Sequence, residues 1–491
     1  MSRSGGLWLA IDSGTTLTKA ILFDGDMRVV AERSEPVPVT TPRPGWVEFD
    51  AAALVRSVRS AATSVLSDPD RSGRPVVGLG LSNQGETVVA WDGVTGEALA
   101  PAVVWQDRRT QNWCDVLEGD AHARALVAGT GLRIDPYFSA SKFRWLLRES
   151  PAVRSVPPER LRLTTTDAFL LWHLTEGRNW STDVTTASRT SLVLLEGDDW
   201  DPDLCALFEV PPESLPVILP NVAERGVARL HGEAIPVLAA AVDQQAALWG
   251  HGAVTRGDVK ITYGTGAFVL GQLGKDHPTS AGLLTTVAWD LGSGRHYAYD
   301  GGVFTAGAAI EWAIRAGILS TAQESSELAR SAGSDPVVFV PALQGLAAPY
   351  WEGGARGTLL GLTLSTGRAE IVRAILDGIA FRVADVVQAM TAGGLPLRRV
   401  RVDGGPSKND YLMQRQADLI GVPIEVADVQ DSAALGVALM AQREDGGERP
   451  PSFSRARAVF SPGIPASQRD ELLDRWRDAI HLARLWRTPT A

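Results

Sequence analysis

LWLAIDSGTTLTKAILF, residues 7–23, sets two apolar runs, Trp8 to Ile11 and Lys19 to Phe23, around Asp12, Ser13, Gly14, Thr15 and Thr16. Apolar, β-branched runs separated by a short glycine- and hydroxyl-containing segment predict a β-hairpin with a polar tip. The pattern returns at DVKITYGTGAFVLGQL, residues 258–273, where Asp258 to Tyr263 and Ala267 to Leu273 flank Gly264, Thr265 and Gly266. One unit therefore occurs twice, which predicts two similar halves.

Between the hairpins, Val76 to Leu81 and Thr87 to Trp91 read as strands, while Ser139 to Arg148 and Asp167 to Leu174 carry helical apolar spacing. Val237 to Val242 is a short apolar run ending in Asp243, Gln244 and Gln245, and a helix starts there, so Asp243 is expected at a strand's carboxyl end. In the carboxyl half, Ile371 to Met390 is a helix stopped by Gly393, Gly394 and Pro396. Val400 to Val402 then reads as a strand, Asp403 to Pro406 as a loop and Asn409 to Ile420 as a helix, an order suited to holding phosphate or a base. Residues 444–465, rich in Gly, Pro and Arg, read as a surface connection. The last helix, about 467–487, carries Leu472, Leu473, Trp476, Ile480 and Ala483 on one face and is expected to pack against the body.

The chain has 491 residues, 45% hydrophobic and 21% charged, enough apolar content for two or more cores and too much for disorder. A net charge of -10, with no Lys/Arg-rich run, argues against nucleic acid or an anionic membrane as partner. No apolar run approaches the length that a spanning helix needs, and the amino terminus lacks a secretory pattern, so a cytoplasmic protein is expected. The two cysteines, Cys114 and Cys205, form no CxxC pair and no metal-ligand spacing, and are expected as buried thiols in a reducing compartment.

A hairpin tip of glycine and threonines offers backbone N–H groups and hydroxyls to phosphate oxygens, and Asp12 beside it suits a hydrated Mg2+ ion. An ordinary turn would use the same residues. The second hairpin shifts the balance, because two such tips facing one another could grip a polyphosphate from both sides. Neither matches GxxxxGK[ST] or GxGxxG, so P-loop and Rossmann readings fall.

Ten ordered segments resemble the FGGY family of carbohydrate kinases, and within it the glycerol kinases. They are Asp12 to Thr16, Pro44 to Glu48, Ser82 to Thr87, Trp105 to Arg109, Asp135 to Phe138, Asp183 to Arg189, Asp243 to Gln245, Tyr263 to Gly266, Ala348 to Trp351 and Asp403 to Gly405. The resemblance runs nearly end to end. It implies an α/β fold of two actin-like, ribonuclease-H-like ATPase domains with a central active-site cleft where ATP and a small polyol or sugar meet. It further implies a polyol-binding domain over 1–247, a nucleotide-binding domain over 248–491, and leaves a homo-oligomer open.

The resemblance assigns Asp243 as general base, since a carboxylate within hydrogen-bond reach accepts the hydroxyl proton during phosphoryl transfer, a contribution of about 10²- to 10⁴-fold. Gly85, Glu86, Trp105, Tyr137, Gln244 and Phe268 match positions around the polyol, where a carboxylate and phenol meet hydroxyls and aromatic rings cover C–H faces. Thr15, Thr16, Lys19, Thr265, Gly307, Glu311, Gly405 and Asn409 match nucleotide positions, with Asp12 holding Mg2+ through water. Lys19 stands for the usual arginine, keeping the charge without the planar fork, and Glu311 for the usual glutamine. At Gly85 the glycerol kinases carry an arginine that contacts glycerol; glycine removes up to five donors and leaves space. Glycerol or a larger polyol is therefore the expected acceptor, with a ketopentose kinase as alternative, although Gln84, Gly85 and Glu86 stand where xylulose-type enzymes carry Met-His-Gly. From another class, a non-catalytic actin-like ATPase module would use the hairpins without needing Asp243, Glu86, Trp105 and Tyr137.

Overall fold

The computed structural model describes residues 5–334, 337–428, 431–443 and 456–486. Their contacts divide the chain into two compact units. The first comprises Met1–Gly252, Thr286–Tyr297 and Asp431–Pro451, the second Ala253–Thr285, Ala298–Gln430 and Ser452–Ala491. Two segments from later in the chain, Thr286–Tyr297 and Asp431–Pro451, are thus grouped with the first unit.

Among the described residues, a six-stranded sheet organises the first unit, in the order Val227–Leu230, Glu233–Val242, Val76–Asn83, Leu7–Ser13, Leu17–Phe23, Val29–Pro36. The hairpin is antiparallel, with Ser13 opposite Thr18, while Val76–Asn83 and Glu233–Val242 join it in parallel. Alternation along Val76–Asn83 separates two faces. Leu79 and Leu81 enter a core with Leu9, Ile11, Leu54 and Val58, covered by the helix Ala51–Leu66. Gly80, on the other face, lies so close to the helix Ser432–Gln442 that a Cβ would sit 2.3 Å from the Val437 carbonyl oxygen. A second core in this unit, including Phe143, Leu146, Leu163 and Phe208, buries both cysteines as free thiols.

The second unit repeats the plan around its own hairpin. Asp258–Tyr263 and Ala267–Gly274 pair antiparallel, and Arg399–Gly404 then Ile424–Ala427 add in parallel. Residues 456–460, expected within a surface connection, instead form the strand Ala456–Phe460, antiparallel to Ile424–Ala427; residues 444–455 lie outside the described residues. Its alternating burial comes from pairing with a sheet edge, a tertiary context that overrides the local composition. The final helix, Ala466–Leu485, buries Leu473, Trp476, Ile480 and Ala483 as its pattern predicts. Trp476 stacks on Phe381 at 4.9 Å and its indole donates to Asp385 at 3.0 Å.

Candidate active site

Strand register assembles the first group of residues. Ser13 lies opposite Asn83, and Asn83 opposite Val242, so three parallel strands end side by side and deliver Asp12, Gln84–Glu86 and Asp243 to one edge. The carboxyl edge of parallel strands is where α/β sheets bind ligands. Ser82 Oγ donates to Asp12 Oδ1 at 2.8 Å, and Lys19 pairs with Asp431 at 2.9 Å. Enclosure by protein, then the negative charges of Asp431 and Asp243, hold the Asp12 carboxyl well above its ordinary range.

Asp243 is the first residue of the helix Asp243–Gly250, following Val242 as cap, so it is not itself the N-cap; its Oδ1 accepts the Gln244 N–H at 2.6 Å. Backbone contact fixes this helix. A Cβ on Gly436 would meet the Ala246 carbonyl oxygen at 1.9 Å, and one on Gly250 the Ser432 carbonyl oxygen at 2.2 Å. Only glycine lets the Asp243 helix and the Ser432–Gln442 helix approach so closely.

Glu86 sits at the centre of a γ-type turn, at φ 60°, with the Thr87 N–H donating to the Gly85 carbonyl at 2.7 Å. Such backbone is strained for a non-glycine residue and persists only where its surroundings fix it. Gln84 supplies anchors: its amide donates to the Gly14 carbonyl at 3.1 Å and accepts the Thr87 hydroxyl at 2.9 Å. Arg189 Nε donates to Glu86 Oε1 at 2.6 Å. Burial pushes Glu86 up to about 6, and the Arg189 guanidinium holds it from rising further.

The aromatic candidates lie alongside. Trp105 and Tyr137 meet edge to face at 5.5 Å, and the Trp105 indole donates to Thr15 Oγ1 at 2.9 Å, linking the expected acceptor wall to the hairpin tip. At Gly85 a Cβ would touch only Val242, at 3.3 and 3.7 Å. The neighbouring arginines are engaged elsewhere. Arg109 bonds Asp107 and Glu48 with its guanidinium over Trp46 at 3.8 Å, and Arg108 pairs with Asp135 at 2.7 Å.

Thr265, Phe268, Gly307, Glu311, Gly405 and Asn409 belong to the second unit. There the hairpin tip is stitched to a helix start: Gly307 N–H donates to the Gly264 carbonyl and Ala306 N–H to that of Thr265, both at 2.9 Å. Gly404, at φ 89°, follows Tyr263 so tightly that a Cβ would lie 1.8 Å from its carbonyl oxygen. Thr265 and Gly405 are exposed beside this glycine-lined turn, Glu311 is exposed on the helix Gly307–Arg315, and Phe268 is half-buried. Asn409 caps the helix Asp410–Ile420, accepting the Leu412 N–H at 3.0 Å. Among the described residues no group of three His, Cys, Asp or Glu is placed to chelate a metal directly.

Four residues of the first unit escaped assignment: Ser82, Lys142, Arg189 and Asp431. Arg189 closes a quoted motif and Ser82 opens another, so both signals were present. Lys142 shares the face of Ser139, Phe143 and Leu146 in the helix Ser139–Glu149, the mark of a buried charge. Asp431 carries no local signal, because its pairing with Lys19 spans nearly the whole chain.

Family models match both parts of the chain: the N-terminal domain of the FGGY family of carbohydrate kinases over residues 7–250, and its C-terminal domain over 259–444. The chain is 42% identical to glycerol kinase of Bordetella parapertussis, covering 98% of each, and 42% identical to glycerol kinase 1 of Pseudomonas aeruginosa, covering 97% of this chain and 98% of that one. A crystal structure of Plasmodium falciparum glycerol kinase with ADP superposes with a TM-score of 0.91 at 30% identity, over 97% of this chain and 98% of the other. Xylulose kinase from Rhodospirillum rubrum shares the fold, with a TM-score of 0.86 at 23% identity over 97% and 99%. No helix among the described residues is long and apolar enough to cross a membrane.

Proposed function

This chain belongs to the FGGY family of carbohydrate kinases, and from that premise we propose that it uses ATP to phosphorylate a primary hydroxyl of glycerol or of a related, somewhat larger polyol. The observation that carries the proposal is one cluster in the first unit: adjacent parallel strands, with Asn83 opposite Val242, end in Glu86 and Asp243, Glu86 is held by Arg189, and Trp105 packs on Tyr137. A small polyol needs carboxylates for its hydroxyls and rings for its C–H faces.

In this reading Asp243 accepts the proton of the attacking hydroxyl, its helix held rigid by Gly250 and Gly436. Glu86 and Gln244 receive the remaining hydroxyls, and Trp105 and Tyr137 cover the carbons. Thr265, Gly307, Gly405 and Asn409, with Thr15 and Thr16, serve the nucleotide. Glu311 lies exposed on the helix that begins at Gly307 and is available to ribose or base. Lys19, held by Asp431, supplies positive charge near the phosphates. Residues 1–247 then carry the acceptor and 248–491 most of the nucleotide contacts.

The family implies Mg2+, and the donor chemistry fits it. The Asp12 carboxyl is kept above its ordinary range by enclosure and by the charges of Asp431 and Asp243, so a divalent cation held there through water would relieve that repulsion. When bound, the ion neutralises charge on the phosphoryl oxygens. A cytoplasmic setting agrees with two free thiols.

The test is ADP release measured with and without C3 to C6 polyols and ketoses. The proposal expects turnover that depends on a polyol acceptor. Turnover equally fast without any acceptor contradicts it.

A further inference from the structure

We infer that Lys142 is the positioning residue of the acceptor site: its ammonium draws three successive carbonyls beneath Tyr137 and lends its charge to Glu86. The inference rests on the reading of that site given above. Lys142 is completely buried, and its Nζ donates to the carbonyls of Pro136, Tyr137 and Phe138 at 2.7, 2.7 and 2.9 Å. An ammonium has three donors, and each has found one carbonyl. The Pro136–Phe138 backbone is therefore gathered around a single point from inside the fold. Two further contacts set the same segment: Asp135 Oδ1 accepts the Tyr137 N–H at 2.9 Å, and the ring of Tyr137 lies against Trp105.

A buried ammonium opposes folding, and a neutral chain of equal length would fill the space. Burial depresses Lys142 to about 7, and the groups that face it, Glu86, Asp107, Cys114 and Asp135, favour its charged form. Glu86 is the first of these neighbours. In return, Lys142 lowers Glu86, alongside Arg189 and against Asp243. Ser139 Oγ, from the helix that carries Lys142, donates to the Glu86 carbonyl at 3.2 Å and keeps the two elements together. One side chain thus serves two parts of the pocket: the backbone under Tyr137 and the ionisation of Glu86.

Two variants separate these roles. Lys142→Met keeps the apolar stem, one atom shorter, without donors or charge, and Lys142→Gln keeps two N–H donors without charge. For Lys142→Met, KM for the acceptor is expected to rise about tenfold or more while KM for ATP stays within about twofold. The acid limb of kcat/KM should move up by roughly half a pH unit or more, because Glu86 loses a cation. Lys142→Gln should recover part of the acceptor KM but keep the shifted limb. Proportional changes in both KM values with an unmoved limb would mean a merely structural lysine and overturn the inference. A wild type without polyol-dependent turnover defeats the kinase reading instead. Lys142 is then judged by 13C NMR titration of the Glu86 carboxyl in wild type and variants, where an unchanged midpoint overturns the inference. If Lys142→Met does not fold, Lys142→Gln carries the titration alone.

Discussion

Arg189 and Glu86 form an ion pair at 2.6 Å whose side chains are 3% and 5% exposed. Removing one partner of so buried a pair leaves an uncompensated charge, at a cost of about 3–5 kcal/mol. The pair also fixes the strained turn at Glu86, and so links the stability of the pocket to its chemistry.

The first prediction concerns pH. In its proposed role Glu86 receives a polyol hydroxyl as the ionised carboxylate, the stronger acceptor, and its pKa is raised to about 6. Binding competence is therefore full above that value and lost as pH falls through it. The profile of kcat/KM for the acceptor, which reports the free enzyme, should bend near pH 6, and Glu86→Gln should lower the plateau and remove that bend. A wild-type bend that persists unchanged in Glu86→Gln assigns it to another group.

Asp243→Asn should reduce kcat by about two or more orders of magnitude, because the amide is nearly isosteric but cannot take up the proton. Nucleotide affinity, measured by calorimetry, should change little. A variant that keeps more than about a tenth of the wild-type kcat shows that Asp243 is not the base.

In the proposed acceptor site, Gly85 is the position expected to set which polyol fits. Its φ lies outside the left-handed region, and a Cβ there asks only that Val242 yield slightly, so Gly85→Arg should fold. Arg109 is committed to Asp107 and Glu48, and does not stand in for the missing side chain. Wild type should favour a four- or five-carbon polyol over glycerol, and Gly85→Arg should reverse the preference by roughly 5- to 150-fold in kcat/KM. A wild type most efficient with glycerol and indifferent to Gly85→Arg sinks the enlarged pocket while sparing the kinase assignment.

Asp167 is buried, accepts the Thr182 hydroxyl at 2.6 Å, and is raised to about 6 by burial and then by the charge of Asp183. A carboxyl whose folded pKa exceeds its unfolded value of about 3.9 stabilises fully below that value, and loses this contribution as pH rises through about 6. Asp167→Asn does not titrate. The melting-temperature difference, variant minus wild type, should therefore grow by a few degrees between pH 4 and pH 7. A difference constant over that range removes Asp167 from the pH dependence of stability.

Both hairpins, the strand before Asp243 and the helix starting there were readable because each is a local pattern of apolar runs and turn residues. Their end-to-end alignment, Ser13 beside Asn83 beside Val242, was not, since register between distant strands leaves no mark in any one segment. The same limit hid the Lys19–Asp431 pair and the strand Ala456–Phe460. Glu86 was legible as a candidate through resemblance, but its γ-type turn and its buried guanidinium partner arise only when the Gln84–Thr87 segment, the Ser139 helix and Arg189 pack together.

Acceptor-dependent phosphoryl transfer is visible in 31P NMR of Mg-ATP turnover in the presence of a C3 to C5 polyol. A phosphomonoester signal is expected to grow as fast as the γ-phosphate signal of ATP declines, in wild type but not in Asp243→Asn. Inorganic phosphate released at the same rate with or without polyol, and no phosphomonoester, would contradict it.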